Sequence, residues 1–157
     1  MKRTAVFITF ITLAFLGSAS AQGKPDFSGT WTLDMDKSDM GQARAKTPAA
    51  TRKVTLVIRQ TPALLAIDRK TGERTETATF KLDGSESVNK AGGQDIKSTC
   101  RWSGSTLVTK STMSREGITT EVSDVRSLSA NGKVMTMDVT RKTARGDVKQ
   151  KLIYNRQ

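Results

Sequence analysis

The chain has 157 residues, and its 26 Lys and Arg outnumber its 15 Asp and Glu, for a net charge of +11. It contains no histidine and a single cysteine, Cys100. These counts exclude Ser-His-Asp and Cys-His catalytic systems, histidine-bound zinc and an intrachain disulfide. We therefore expect a fold stabilised by packing alone, and we predict no catalytic residue, no metal and no cofactor.

The start of the chain has the pattern of a secretory signal. Lys2 and Arg3 give a positive charge, residues 5–16 are mostly apolar, and Ala19-Ser20-Ala21 suits signal peptidase. The alternative is a membrane anchor, which needs about 20 apolar residues, more than this run supplies. The pattern predicts removal of residues 1–21 and an exported protein, either periplasmic or secreted, with no transmembrane segment in the mature chain.

After residue 21, apolar and polar residues alternate along most of the chain. This period of two, in segments rich in Thr and Val, is typical of half-buried β-strands. Glycine-containing turn signals separate the segments, and Asn131-Gly132 is the strongest because it suits a type I′ turn. The nine predicted strands cover residues 28–34, 52–60, 63–70, 73–82, 94–102, 105–113, 118–128, 133–142 and 147–156.

Only residues 35–50 fail to alternate. Residues 38–46 could form a short helix with Ser38 or Asp39 as its cap, or a loop. Because antiparallel strands with one apolar face must hide both that face and their edges, the pattern predicts an all-β protein. We expect a single domain over residues 22–157, an up-and-down β-barrel of about 8–10 strands with the short helix or loop after the first strand.

The first predicted strand carries a resemblance. Residues 27–33, with Gly29 and Trp31, and the following Lys37-Ser38 resemble the entry strand of the calycins, meaning the lipocalins and fatty-acid-binding proteins. Residues 127–137 and 152–156 are also similar to secreted bacterial lipocalin-like proteins. The resemblance implies that Trp31 plugs the closed end of a barrel. Gly29, which lacks a Cβ, is expected to let another backbone or the indole approach closely.

Three aspartates after this strand could suggest a calcium loop. That loop requires Gly at its sixth position and Glu at its twelfth, whereas a loop beginning at Asp34 has Asp39 and Ala45 there. We therefore expect the aspartates to solvate a turn, and no metal site is predicted.

Arg126 is the first candidate ligand-binding residue. It shares the apolar parity of Ile118 and Val122, so it is predicted to enter the barrel, where an unpaired guanidinium is costly. Its partner could be a ligand carboxylate held by two hydrogen bonds, Asp124 two residues away, or a neighbouring backbone carbonyl. A bulge could instead leave Arg126 in solvent.

Tyr154, Met137 and Trp102 are the other candidates. Fatty-acid-binding proteins hold a carboxylate with Arg-x-Tyr on the last strand, but this chain has Leu152-x-Tyr154, so the resemblance does not carry that headgroup site. Tyr154 is predicted to point inward, as a core residue or a ligand contact. Met137 could line a cavity or fill a core. Trp102 shares a face with Cys100, whose thiol is predicted to be buried and unreactive.

The last predicted hairpin is strongly basic. It could attract an anionic surface or an acidic partner, or it could be a solvated edge that discourages sheet pairing. Nucleic acid is not expected, because the few aromatic residues form no stacking platform. The basic residues are Arg141, Lys142, Arg145, Lys149 and Lys151.

Together these patterns predict an exported, non-catalytic protein that holds a small apolar or amphipathic ligand in a barrel cavity. The alternative is a protein-interaction or inhibitor barrel that acts through its loops or its basic surface. An enzyme is less expected, because the alternation shows no converging pair of carboxylates or lysines.

Overall fold

The computed structural model describes residues 23–41, 53–115, 117–143 and 146–157. The predicted signal, residues 1–21, and most of the predicted helix lie outside these ranges. Within them, no helix is long and apolar enough to cross a membrane.

Ten antiparallel strands form one sheet. Apart from β4 and β5, strands that follow one another in the chain pair with each other, and β1 also pairs with β10, so the sheet curls into a nearly closed up-and-down barrel. The predicted fold class is confirmed. The strands are β1 (Gly29–Asp39), β2 (Val54–Gln60), β3 (Leu64–Thr71), β4 (Arg74–Lys81), β5 (Asp83–Ala91), β6 (Gln94–Ser103), β7 (Thr106–Arg115), β8 (Ile118–Leu128), β9 (Val134–Thr143) and β10 (Gly146–Arg156).

The end of β1 differs from the sequence prediction. Ser38 and Asp39, the predicted helix caps, are the last residues of the strand. The pairing of β1 with β10 shifts register between Asp34 and Asp39, and this bulge explains why the segment does not alternate. Ser38 Oγ fills the irregularity, because it donates to the Asp34 carbonyl at 2.5 Å and accepts from Ile153 N at 2.9 Å.

The barrel wall has one seam, between β4 and β5. These strands are the two ends of the sheet order, and side chains bridge them in place of a backbone ladder. Asn89 Oδ1 accepts from Thr79 N at 2.7 Å, and Asn89 Nδ2 donates to Thr79 O at 3.0 Å. Ser87 Oγ accepts from Lys81 N at 2.9 Å. The exposed backbone edge of β4 is therefore partly satisfied by two side chains of β5.

Trp31 lies in the core with no exposed surface. Its Nε1 donates to Phe27 O at 2.9 Å, so the buried indole has its polar partner. The guanidinium of Arg156 lies over the ring, 4.4 Å from its centroid, and Arg156 Nη1 donates to Ser28 O at 2.6 Å. The predicted structural role of Trp31 is confirmed.

A close steric approach explains why glycine occupies position 29. Its φ is +127°, and a Cβ at this position would lie 3.1 Å from Nη1 of Arg156. The group that approaches Gly29 is thus the guanidinium that covers Trp31, neither the indole nor a backbone.

The basic hairpin is not an edge of the sheet. β9 and β10 lie in the middle of the strand order, with β10 between β1 and β9, so the interpretation as a protective edge was wrong. The strand edges of this barrel are β4 and β5.

Polar residues inside the barrel pair with each other. The hydroxyls of Ser98 and Ser111 lie 2.9 Å apart across β6 and β7, and Thr109 Oγ1 donates to Cys100 Sγ at 3.4 Å. Burial raises the pKa of the Cys100 thiol, which keeps it in the neutral form.

We expect Trp31→Ala to lower the free energy of unfolding by about 3–5 kcal/mol, as for other buried aromatic side chains. Trp31→Phe should cost less, because it keeps part of the buried surface and loses the hydrogen bond to Phe27. Urea denaturation followed by circular dichroism measures both. A midpoint for Trp31→Ala equal to that of the wild type would contradict the burial.

We also expect Cys100 to resist a thiol reagent in the native protein at pH 8 and to react once the protein is unfolded in urea. The matched control is Cys100→Ser combined with Ser105→Cys, which puts the only thiol at an exposed turn residue and should react at once. Equal labelling rates for the two native proteins would show that Cys100 is accessible.

Candidate functional site

A cavity of about 330 Å³ lies inside the barrel, at the end where the β3–β4, β5–β6 and β9–β10 hairpins turn. This volume is at the lower end of the range for small-molecule sites. Much of its wall is apolar and comes from several strands. The apolar lining residues include Leu56, Ile67, Ala78, Phe80, Ile96, Met137, Val139 and Leu152.

Charged side chains surround the mouth of the cavity. Arg69, Lys90 and Arg141 line it and are exposed, and Glu76 also lines it and pairs with Arg74 at 2.7 Å. Their exposure means that solvent and salt screen these charges. The mouth is basic, but its three cations are all exposed to solvent.

Arg126 lies inside, with 6% of its surface exposed. The ladders of β8 with β7 and β9 place it opposite Leu107 and Met137. Its Nη1 donates to Thr109 Oγ1 at 2.8 Å and lies 2.7 Å from Asp124 Oδ1. Of the predicted surroundings for Arg126, the structure therefore contains the ion pair with Asp124, and it excludes the solvent-exposed position.

The pair is neutral overall but incompletely hydrogen-bonded. Burial raises the pKa of Asp124, and the positive charge of Arg126 opposes this rise. Among the described residues, neither Asp124 Oδ1 nor Arg126 Nε has a hydrogen-bond partner. The short contact between Nη1 and Oδ1 is thus an attraction of charges without hydrogen-bond alignment. Within the part of the chain that the structure describes, Arg126 Nε therefore keeps its N–H without a partner, and the residue itself lines the cavity.

Tyr154 and Met137 line the same cavity as Arg126. Tyr154 is 2% exposed, and the β1–β10 ladder places it opposite Leu33. Burial raises the pKa of its phenol, against the opposing charges of Arg69 and Arg126, so the ring presents a neutral hydroxyl. Three of the four predicted ligand-binding residues therefore meet in one cavity.

Trp102 lies apart from the other three candidates. Its ring packs against Phe27, with 6.0 Å between centroids, and Lys24 Nζ lies 5.6 Å from the ring centroid. It lines a separate crevice with Gln60 and Leu82, near the β2–β3 turn at the opposite end of the barrel. A ligand in the central cavity would not be in contact with a residue of this crevice.

Sequence reasoning missed several residues of the cavity. Arg69 has the parity of Leu65 and Ile67, and Arg141 has that of Met137 and Val139, so the alternation contained a signal for both. Arg69 is not among the residues that the sequence pattern singles out, and Arg141 is assigned to the basic hairpin. Arg141 is therefore not part of the outer surface of the basic hairpin, on which Lys149 and Lys151 are exposed.

The acidic segment of β1 forms local hydrogen bonds. Asp34 accepts from Lys37 N at 3.1 Å and from Asn155 Nδ2 at 3.0 Å, and the bond from Asn155 is the main reason that its pKa is lowered. In the described part of the chain, no three His, Cys, Asp or Glu side chains come together as metal ligands.

We expect Asp124→Asn and Arg126→Met each to lower the free energy of unfolding, by up to about 3–5 kcal/mol, because each leaves one buried polar partner uncompensated. The double variant should lose less than the sum of the two. Urea denaturation of the four proteins gives the coupling energy. Strict additivity would show that the two charges do not interact.

The loss of unfolding free energy caused by Arg126→Met, relative to the wild type, should also depend on pH. Without the guanidinium, burial raises the Asp124 pKa further above its unfolded value of about 3.9. The folded variant then binds a proton more readily than the unfolded chain, so its deficit against the wild type should shrink below about pH 4 and grow as pH rises through the folded pKa. A deficit that is constant with pH would contradict this.

Known structures share this fold. No protein-family model and no curated protein matches the chain. The solved structure of the REP1-NXSQ fatty acid transporter superposes with a TM-score of 0.63 at 19% identity, covering 83% of this chain and 95% of that one. Human cRBP IV gives a TM-score of 0.62 at 19% identity, covering 85% and 99%. The chain has the fold of the calycin-type barrels, which confirms the resemblance of its first strand.

Proposed function

We propose that this protein is an exported, non-catalytic carrier that holds a small apolar or amphipathic ligand in its central cavity. The observation that carries the proposal is an apolar cavity with a buried cation, Arg126, whose Nε has no partner among the described residues. Apolar contact supplies most of the affinity in such a site, and one polar anchor fixes the orientation of the ligand.

The energetics suit a short chain or a small ring system. Burial of apolar groups contributes about 0.8 kcal/mol per CH₂, so roughly ten such groups supply about 8 kcal/mol before the cost of association is subtracted. The REP1-NXSQ structure, which shares the fold, is that of a fatty acid transporter. This likeness supports an apolar ligand class, and it does not identify the ligand.

The proposal of a non-catalytic role rests on the state of the polar groups. Asp124 is paired with Arg126, and Tyr154 is a neutral phenol with a raised pKa. Neither is poised as a base at neutral pH. The proposal of export rests on the signal pattern of residues 1–21.

Contact with an anionic surface stays a prediction from the sequence. Of the five basic residues, Arg141 lines the cavity mouth, Lys142 pairs with Glu121 at 3.1 Å, and Arg145 lies outside the described residues. Lys149 and Lys151 are the ones that support such a contact. The predicted patch is smaller than its sequence indicates.

The carrier function is tested by filling the cavity. Met137→Trp adds bulk to the cavity lining. Asp138→Trp places the same side chain at the next residue, which is exposed on the outer face of the barrel. We expect wild type and Asp138→Trp to bind the uncharged dye Nile red saturably and to release it to 1-decanol. Met137→Trp should bind at least about tenfold more weakly, a loss of roughly 1.4 kcal/mol.

Folding of both variants is checked by circular dichroism. If the wild type shows no saturable binding, or if both tryptophan variants bind alike, the cavity is not a ligand site.

A further inference from the structure

We infer that the ligand presents an uncharged oxygen acceptor, a hydroxyl or a carbonyl, to Arg126, and that a carboxylate is disfavoured there. This inference rests on the proposed carrier function and names the chemistry of its ligand. It follows from two features of the same side chain, the compensated charge of Arg126 and its unused N–H donor.

The charge of Arg126 already has a partner. Its Nη1 lies 2.7 Å from Asp124 Oδ1, and the two side chains are only 7% and 13% exposed. A ligand carboxylate at Arg126 would bring a second buried negative charge close to Asp124. Two carboxylates that share one cation in a region of low dielectric repel each other, and one of them must take up a proton or lose its contact.

The hydrogen bonding of Arg126 is nevertheless incomplete. Nη1 is used by Thr109 Oγ1, whereas Nε lacks a partner in the described part of the protein. A guanidinium only donates, so the group that satisfies Nε must be an acceptor. A neutral oxygen accepts this bond and leaves the net charge of the site at zero.

The remaining charges around the cavity act at a different place. Arg69, Lys90, Arg141 and Glu76 line the mouth, and the three cations are exposed. Salt screens these groups, so they could hold a carboxylate at the mouth but do not compensate one at Arg126. Tyr154 adds a neutral hydroxyl to the interior. The interior therefore suits an uncharged polar group.

The test compares three ligands that each contain ten carbon atoms and differ in their polar head groups. 1-Decanol, methyl nonanoate and decanoate displace Nile red at pH 8 and 0.15 M salt, where decanoate is ionised. For the wild type we expect the alcohol and the ester to bind at least about tenfold more tightly than decanoate. Arg126→Met should weaken the alcohol by roughly ten- to a hundredfold, because the bond to a charged donor is lost.

Asp124→Asn should reverse the preference, because it removes the competing anion and leaves the guanidinium charge available. We expect decanoate to gain at least about tenfold in this variant while decanol changes little. Asp138→Asn makes the same chemical change on the exposed outer face of the barrel and should leave the ranking of the ligands as in the wild type. If Asp124→Asn does not fold by circular dichroism, the ranking in the wild type decides alone.

Two failures are distinguishable. Decanoate that binds the wild type as tightly as decanol would overturn the inference about the head group, and the carrier function would stand. Failure of all three ligands to displace the dye, or of the dye to bind, would overturn the carrier function itself.

Discussion

The pairing of β1 with β10 is the constraint on which this structure depends. Every other ladder among the described strands joins strands that follow one another in the chain, and β4 and β5 share none, so without this pairing β1–β4 and β5–β10 would be two separate sheets with exposed apolar faces. The same register places Trp31 opposite Arg156 and Leu33 opposite Tyr154. One ladder thus covers the closed end with a cation over an indole and directs Tyr154 into the cavity. The same strand pairing therefore closes the barrel and positions Tyr154 in the cavity.

The interior is divided by polarity. β6, β7 and β8 contribute Ser98, Thr109, Asp124 and Arg126, which contact each other or close neighbours, whereas the cavity is lined largely by apolar side chains of the other strands. A buried polar network is tolerated when its members satisfy each other, and here the exceptions include Arg126 Nε and Asp124 Oδ1. Both atoms belong to the one buried ion pair among the described residues, and Arg126 is the residue of that pair that lines the cavity.

The alternation in the sequence contained most of the fold. Nine of the ten strands and the inward positions of Arg126, Met137 and Tyr154 followed from parity alone, because one buried face imposes a period of two. β5 was missed since its pattern is inverted. Ser87 is buried and Asn89 half-buried, while Val88 is 55% exposed. Hydrogen bonding to β4, and not apolar burial, selects those residues.

The rest of the site needed three-dimensional distances. Parity put Arg126 and Asp124 on one face but could not tell a contact of 2.7 Å from two separate side chains, so the choice between Asp124 and a ligand stayed open. The bulge in β1 was hidden for a similar reason, since its cause is Ser38 bonding to Ile153 on a strand 115 residues away. Trp102 has the same inward parity as Cys100. It lies near the end of β6 that is far from the central cavity, however, and it lines a different crevice.

The seam links the stability of the wall to its function. Asn89 bridges β4 and β5 and also lines the cavity, so one side chain both closes the wall and faces the proposed ligand site. Three side-chain bonds from Asn89 and Ser87 contribute about 1 kcal/mol each, whereas separating any other pair of adjacent strands breaks a backbone ladder. Opening the barrel at this seam therefore costs least. It uncovers the apolar wall of β4, where Ala78 and Phe80 lie, and leaves the Arg126–Asp124 pair on β8 intact.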